Sequence, residues 1–349
     1  MRRLLTFFVA PLLVMTFSTQ AKAQQRQLPL SATEAKALED SLVADPNNLP
    51  AREKLIEYYF RAMIKSKSPE TEEKRERHVL WLIEHHPESQ FAGSPETEML
   101  PMGFLGSMEG YQRGKQLWLQ QVELHPDNVT ILRNAASFFT VVEPESSRQL
   151  LEKAYDLNPE DPETAAKLAQ SYELERITVG SPEEKAAFSQ RAFTIRERGT
   201  EKLEGVERFY ALGDLANSAL EAGDISKAEQ YANELLQDAP KFQTDWNYGN
   251  ALHRGNIILG RIALQRGDIA GAKSRLLAAG ETPGSPQLDS FGPNMTLAKE
   301  LLQKGERDTV LSYLQSCAKF WKMGVDKLQG WIATIKGGGT PDFSANPLY

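Results

Sequence analysis

Residues 219–236 read ALEAGDISKAEQYANELL, and residues 263–280 read ALQRGDIAGAKSRLLAAG. Superposed, they place Gly223-Asp224 and Gly267-Asp268 at the same point, each between two stretches whose apolar residues recur at three- and four-residue steps. That spacing gathers the apolar side chains on one stripe of an α-helix. Glycine can end the first helix because the left-handed region costs it no Cβ clash, and the aspartate after it can cap the second. Ala228 and Ala272, early in each second helix, let the two helices of a pair approach closely. A weaker third copy, residues 301–314 (LLQKGERDTVLSYL), turns at Gly305. The stretch predicts helical hairpins, repeated.

A second kind of punctuation lies outward from these copies. Pro46, Pro87, Pro126, Pro159 and Pro240 each follow a helix-forming run. Proline cannot continue a helix and biases its predecessor away from helical geometry. The Asp or Asn just beyond, within Asn47-Asn48, Asp127-Asn128 and Glu160-Asp161, is placed to cap the helix that follows. Alternating β-branched runs are scarce, so the expected class is all-α.

These features resemble the tetratricopeptide-repeat family, which pairs antiparallel helices in a repeat of roughly 34 residues. Pro126 to Pro159 fits that period. The family's Leu-Gly pair is matched by Leu259-Gly260 and more weakly by Leu168-Ala169, Leu215-Ala216 and Leu297-Ala298. Its aromatic one turn later is matched by Phe138 and Tyr172 but replaced by Ala219, Ala263 and Leu301. Its later small position is matched by Ala154 and Ala279, and Cys317 falls there in the last copy. The resemblance is strong over 206–282, fair over 127–175, and poor over 88–116 and 176–205, where insertions intervene. It implies an antiparallel helix-pair solenoid or superhelix with irregular insertions and a C-terminal capping helix. Irregular repeats are expected over 34–205, regular ones over 206–322, and a capping helix and tail over 323–349. Val325–Lys336 is the expected cap, and Phe343, Leu348 and Tyr349 are expected to fold back over the open end of the stack.

The chain has 349 residues, 41% hydrophobic and 25% charged, which excludes a disordered or collagen-like chain. Its 40 basic against 47 acidic residues lack the positive footprint of a nucleic-acid binder. Residues 1–23, MRRLLTFFVAPLLVMTFSTQAKA, combine a basic start, an apolar run and an Ala-Lys-Ala end. They read as a secretory signal peptide cleaved after Ala23, because the run falls short of the ~20 residues of a spanning helix. Residues 24–33 read as a flexible mature N-terminus. No later segment is apolar enough to span a bilayer, so a bacterial periplasmic or secreted protein is expected.

Motifs for nucleophilic, metal-dependent or nucleotide chemistry are not found in the sequence, so no catalytic residue is assigned. Glu143, Glu145, Glu160, Asp161 and Glu163 suit helix starts as well as they suit acid catalysis. His78 and His85 share a helix face but stand about 10 Å apart along it, too far for one ion, so neither metal nor cofactor is expected. Cys317 and most of the five tryptophans read as core, with Trp246 the candidate exposed aromatic contact.

What remains is the groove. In stacked helix pairs the first helices line the concave side. The position two residues after each repeat's leucine gives Gln170, Asn217, Arg261 and Lys299, with Arg254 on the same helix as Arg261. Some members of the resembled family hold a peptide's terminal carboxylate with Lys, Asn and Arg, and Asn217, Arg261 and Lys299 are similar in type. The expected function is a non-enzymatic scaffold that binds protein or peptide partners through this groove. The alternatives are a carbohydrate or small-ligand binder using the 88–116 insertion and Trp246, or a hydrolase with its site in the inserted loops.

Overall fold

The glycine turns close as their spacing requires. In the computed structural model, which describes residues 30–66, 68–103 and 106–343, Gly223, Gly267 and Gly305 take φ of 82°, 81° and 87°. At each turn the next amide reaches back five residues: Asp224 N to Ala219 O at 3.0 Å, Asp268 N to Ala263 O at 2.9 Å, and Glu306 N to Leu301 O at 3.1 Å. These bonds satisfy carbonyls that the ending helix would otherwise leave bare. Asp224 and Asp268 then accept from Lys227 N at 3.0 Å and Gly271 N at 2.8 Å, capping the second helices.

The proline stops behave similarly. Asn48, Asn128 and Asp161 accept the amides of Ala51, Ile131 and Thr164 at 3.0, 3.1 and 2.9 Å. Pro240 differs, because the chain runs on into a 3-10 turn at Ala239–Phe242. Proline fits there because the first turn of a helix needs no N–H from it.

Sixteen α-helices and no strand occur among the described residues, which makes the fold an all-α, helical-repeat one. Two compact units divide at Ser171. The first holds α1 (Ala32–Ala44), α2 (Leu49–Ser66), α3 (Pro69–His85), α4 (Met108–Leu124), α5 (Val129–Phe139), α6 (Pro144–Leu157) and the start of α7 (Pro162–Thr178). The second holds the rest of α7 with α8 (Pro182–Thr200), α9 (Gly205–Glu221), α10 (Ile225–Asp238), α11 (Tyr248–Gln265) and α12 (Ile269–Gly280). It continues through the short α13 (Pro286–Phe291), then α14 (Thr296–Gln303), α15 (Arg307–Cys317) and α16 (Val325–Lys336).

In the first unit the insertion after Pro87 is fastened by two polar anchors. The fully buried Arg75 donates to Glu96 O and Glu98 O, each at 2.8 Å. Asn134 donates to Pro87 O and Ser89 O, also at 2.8 Å. A buried polar group with such partners avoids the cost of an unmade bond.

In the second unit, segment 176–205 matches the family pattern poorly yet supplies a full helix, α8, with Ala192 and Phe193 buried. Ala228 and Ala272 are fully buried where their helices meet the preceding ones. At Gly260 a Cβ would stand 2.3 Å from Leu297 Cδ2, so the Leu-Gly pair is there for close approach of α14 to α11. Arg307 donates to Gly338 O and Gly339 O at 2.9 and 3.0 Å, closing the end of α16. Phe343 folds back edge-on to Trp331, with centroids 5.1 Å apart. The predicted signal peptide, residues 24–29, Leu348 and Tyr349 lie outside the described residues.

Cys317 is buried beside Tyr313, and burial pushes its thiol pKa up. The native protein is therefore expected to resist thiol alkylation at pH 8 and to become modified only in denaturant. Stoichiometric labelling of the folded chain, read by mass spectrometry, would contradict that placement.

Candidate functional site

Helical spacing sets the site. Asp214, Asn217, Ser218 and Glu221 stand at i, i+3, i+4 and i+7 on α9, and Arg254, Ile257, Ile258 and Arg261 repeat that spacing on α11. Each set therefore occupies one face of its helix. Both faces line a single cavity of about 330 Å³ in the second unit, together with Glu173 and Arg176 of α7, Ser189 and Ala192 of α8, and Asn294 and Thr296 at the start of α14.

The charged residues form two rows. In the first, Glu173 of α7 receives Arg196 of α8 at 3.0 Å. Arg196 also stands 3.8 Å from Asp214 of α9, which pairs with Arg254 of α11 at 2.5 Å. Ser218 sits inside this row, accepting from Arg196 Nε at 3.1 Å and donating to Glu173. In the second row, Arg176 of α7 meets Glu221 of α9 at 3.0 Å. Glu221 meets Arg261 of α11 at 2.9 Å, and Arg261 meets Glu300 of α14 at 3.0 Å. Signs alternate along each row, and every arginine is matched by a carboxylate. Asp214 to Glu221 and Arg254 to Arg261 are both seven residues, so the rows run about 10 Å apart.

Electrostatics follow from these contacts. Burial works against the charge of Arg196, but Glu173 and Asp214 outweigh it and hold the guanidinium pKa above its ordinary value. Burial likewise disfavours the charge of Arg261, and Glu300 and Glu221 overcome it. At Asp214 burial raises the pKa, but Arg254 and Arg196 together hold the carboxyl below the usual range. In Arg196, Arg261 and Asp214 alike, the paired charges outweigh burial and favour the charged form.

The rest of the cavity lining is uncharged. Asn217 of α9 and the Ser189 and Thr296 hydroxyls make no side-chain hydrogen bond among the described residues, and Ile257 and Ile258 supply an apolar floor. One wall depends on a buried histidine. His253 Nε2 accepts from Asn294 N–H at 3.0 Å, which leaves Nδ1–H to donate to Ala279 O at 3.0 Å. Tyr313 Oη donates to Asn294 O at 2.9 Å, so the segment before α14 is clamped on both sides of one residue. Burial lowers the His253 pKa to about 4.

Of the residues predicted from the repeat register, Asn217, Arg254 and Arg261 meet at this cavity. Gln170 is half-buried on the first unit's part of α7. Lys299 is exposed, and its neighbour Glu300 faces Arg261 instead. Trp246 is half-buried, with its ring 5.4 Å from that of Tyr210. Sequence reasoning missed Glu173, Arg196, Asp214, Ser218 and Glu221. The polar i, i+3, i+4, i+7 stripe on α9 was the available signal.

The other chemistry-bearing residues are taken up in packing. His78 is buried between Arg52, which donates to its Nδ1 at 3.1 Å, and Glu39, which accepts from Nε2 at 3.0 Å. His85 stacks on Trp81 at 4.7 Å, on a ring that also lies 4.0 Å from the Arg52 guanidinium. Glu143 accepts from Tyr111 Oη and Lys115 Nζ at 2.7 Å each, and Asp161 pairs with Arg133 at 2.7 Å.

No protein-family model and no curated protein sequence matches the chain. Among solved structures, the chain is similar to one described as a human IFIT1 dimer with PPP-AAAA. The identity is 18% and the TM-score 0.45, over 87% of this chain and 65% of that one. The chain thus spans just under two thirds of that protein's length.

Proposed function

We propose that the protein is a non-enzymatic helical-repeat scaffold that binds a peptide segment of a partner protein in the cavity of its second unit. The observation that carries this reading is the cavity itself, a concavity of about 330 Å³ walled by α7, α8, α9, α11 and the start of α14. That volume lies at the lower end of the ~300–1,000 Å³ usual for ligand sites. The two rows add a dimension: their spacing of about 10 Å matches the depth of an extended chain with its side chains. The signal-like residues 1–23 support placing this activity outside the cytoplasm, in the periplasm or the medium.

The test is selection of a phage-displayed random peptide library on the purified protein and on Asn217→Trp, whose indole would occupy the cavity. Peptides enriched on the wild type are expected to lose at least tenfold in affinity on the folded variant, a loss of about 1.4 kcal/mol or more. Equal retention by both proteins would move binding elsewhere. No enrichment on either would remove the peptide-binding reading.

A further inference from the structure

The ligand's charge is written into the two rows. A peptide carboxylate entering the cavity would meet arginines that already hold Glu173, Asp214, Glu221 and Glu300. Arg261 shows the difficulty most clearly. Its side chain is only 17% exposed and spans Glu221 and Glu300. Turning it toward a ligand would strand one of those carboxylates, and an uncompensated charge in such a place is costly. A cationic ligand faces the mirror-image problem, since every carboxylate of the rows already has its arginine. Paired in this way, the rows present no net charge to offset the desolvation of a ligand charge.

The groups that make no side-chain hydrogen bond among the described residues are of another kind. Asn217 is half-buried, Ser189 is only 4% exposed, and Thr296 is a third lining residue of the same cavity. An amide and two hydroxyls offer both donors and acceptors without formal charge. They lie with Ile257 and Ile258, whose burial rewards an apolar side chain.

Resting on the peptide-binding reading above, we infer that the cavity takes an uncharged segment from the interior of a peptide chain. The segment lies between the two ion-pair rows, with hydrogen bonds to Asn217, Ser189 and Thr296 and an apolar side chain on Ile257 and Ile258. The arginines are framework residues that set the walls, and a terminal carboxylate is not the recognised group. This departs from the carboxylate clamp that the residue types Asn217, Arg261 and Lys299 resemble.

The experiment uses the peptides enriched on the full-length protein, each synthesised as a C-terminal acid and a C-terminal amide. Affinities are measured by calorimetry at about 50 mM and about 500 mM NaCl, a range that removes most of a screened charge–charge attraction. Acid and amide are expected to bind within about threefold of each other, and salt to change the dissociation constant by no more than about threefold. Asn217→Ala, which breaks no side-chain hydrogen bond among the described residues, is expected to weaken both forms about tenfold, and Ser189→Ala to weaken both in the same direction. A tenfold preference for the acid, a tenfold weakening in salt, or an Asp, Glu, Lys or Arg shared by all enriched peptides would overturn the inference while leaving the peptide-binding reading in place. Full affinity in both Asn217→Ala and Ser189→Ala would overturn it as well. If no peptide is enriched, the peptide-binding reading fails and this inference falls with it.

Discussion

Arg196→Ala is expected to lower the unfolding free energy by about 3 kcal/mol. Removing one partner of a buried ion pair leaves the other charge uncompensated, which typically costs 3–5 kcal/mol. Arg196 is 8% exposed at its side chain, while Glu173 and Asp214 keep 30% and 48% and can recover some hydration, so the lower end applies. Arg196 also orders Ser218 and links α7, α8 and α9 in one row. Urea unfolding followed by circular dichroism is the measurement. A loss below about 1 kcal/mol would show that the row contributes little to the stack. Arg266→Ala is the control, because Arg266 pairs with Glu229 on the surface at 2.7 Å and exposed pairs are worth ~0–1 kcal/mol.

The second large effect is pH-dependent and belongs to His253. Its folded pKa of about 4 lies below the ordinary value of 6.5, so between those values the unfolded chain binds the extra proton. Its contribution is fully present above about pH 6.5 and is lost as pH falls toward 4. The difference amounts to roughly 3 kcal/mol at about 1.4 kcal/mol per unit. Protonation also turns Nε2 from acceptor to donor, which breaks its bond from Asn294 N–H and frees one cavity wall. His253→Gln is expected to show a visibly shallower loss of stability between pH 7 and pH 4 than the wild type. An NMR titration would check the same point directly. An imidazole of His253 that titrates above pH 6 would exclude this account.

Much of the fold was legible because its determinants are local. Gly223, Gly267 and Gly305 stop helices through their own backbone freedom, and Asp224 and Asp268 cap the next ones three residues away. Segment 176–205 was harder. Its helix α8 is held by Arg196, Ala192 and Phe193, packed on partners distant in sequence rather than by a repeat motif. At Pro240 the α-helix does stop, α10 ending at Asp238, but the chain goes on into a 3-10 turn that the proline alone does not specify.

The site divides in the same way. Counting along single helices gave Asn217 and Arg261, with Arg254 on the same helix as Arg261, and all three line the cavity. It failed for Lys299 because one residue is about 100° of helix, and packing of α14 through Leu297 turns Glu300 toward Arg261. The amino-acid order by itself determined that hairpins form, where they turn and which stripe of each helix is polar, since those depend on contacts a few residues apart. Only the tertiary structure decided which charges meet. Arg261 finds its carboxylates forty residues before it and thirty-nine after, contacts set by the packing of α9, α11 and α14 and by no local pattern.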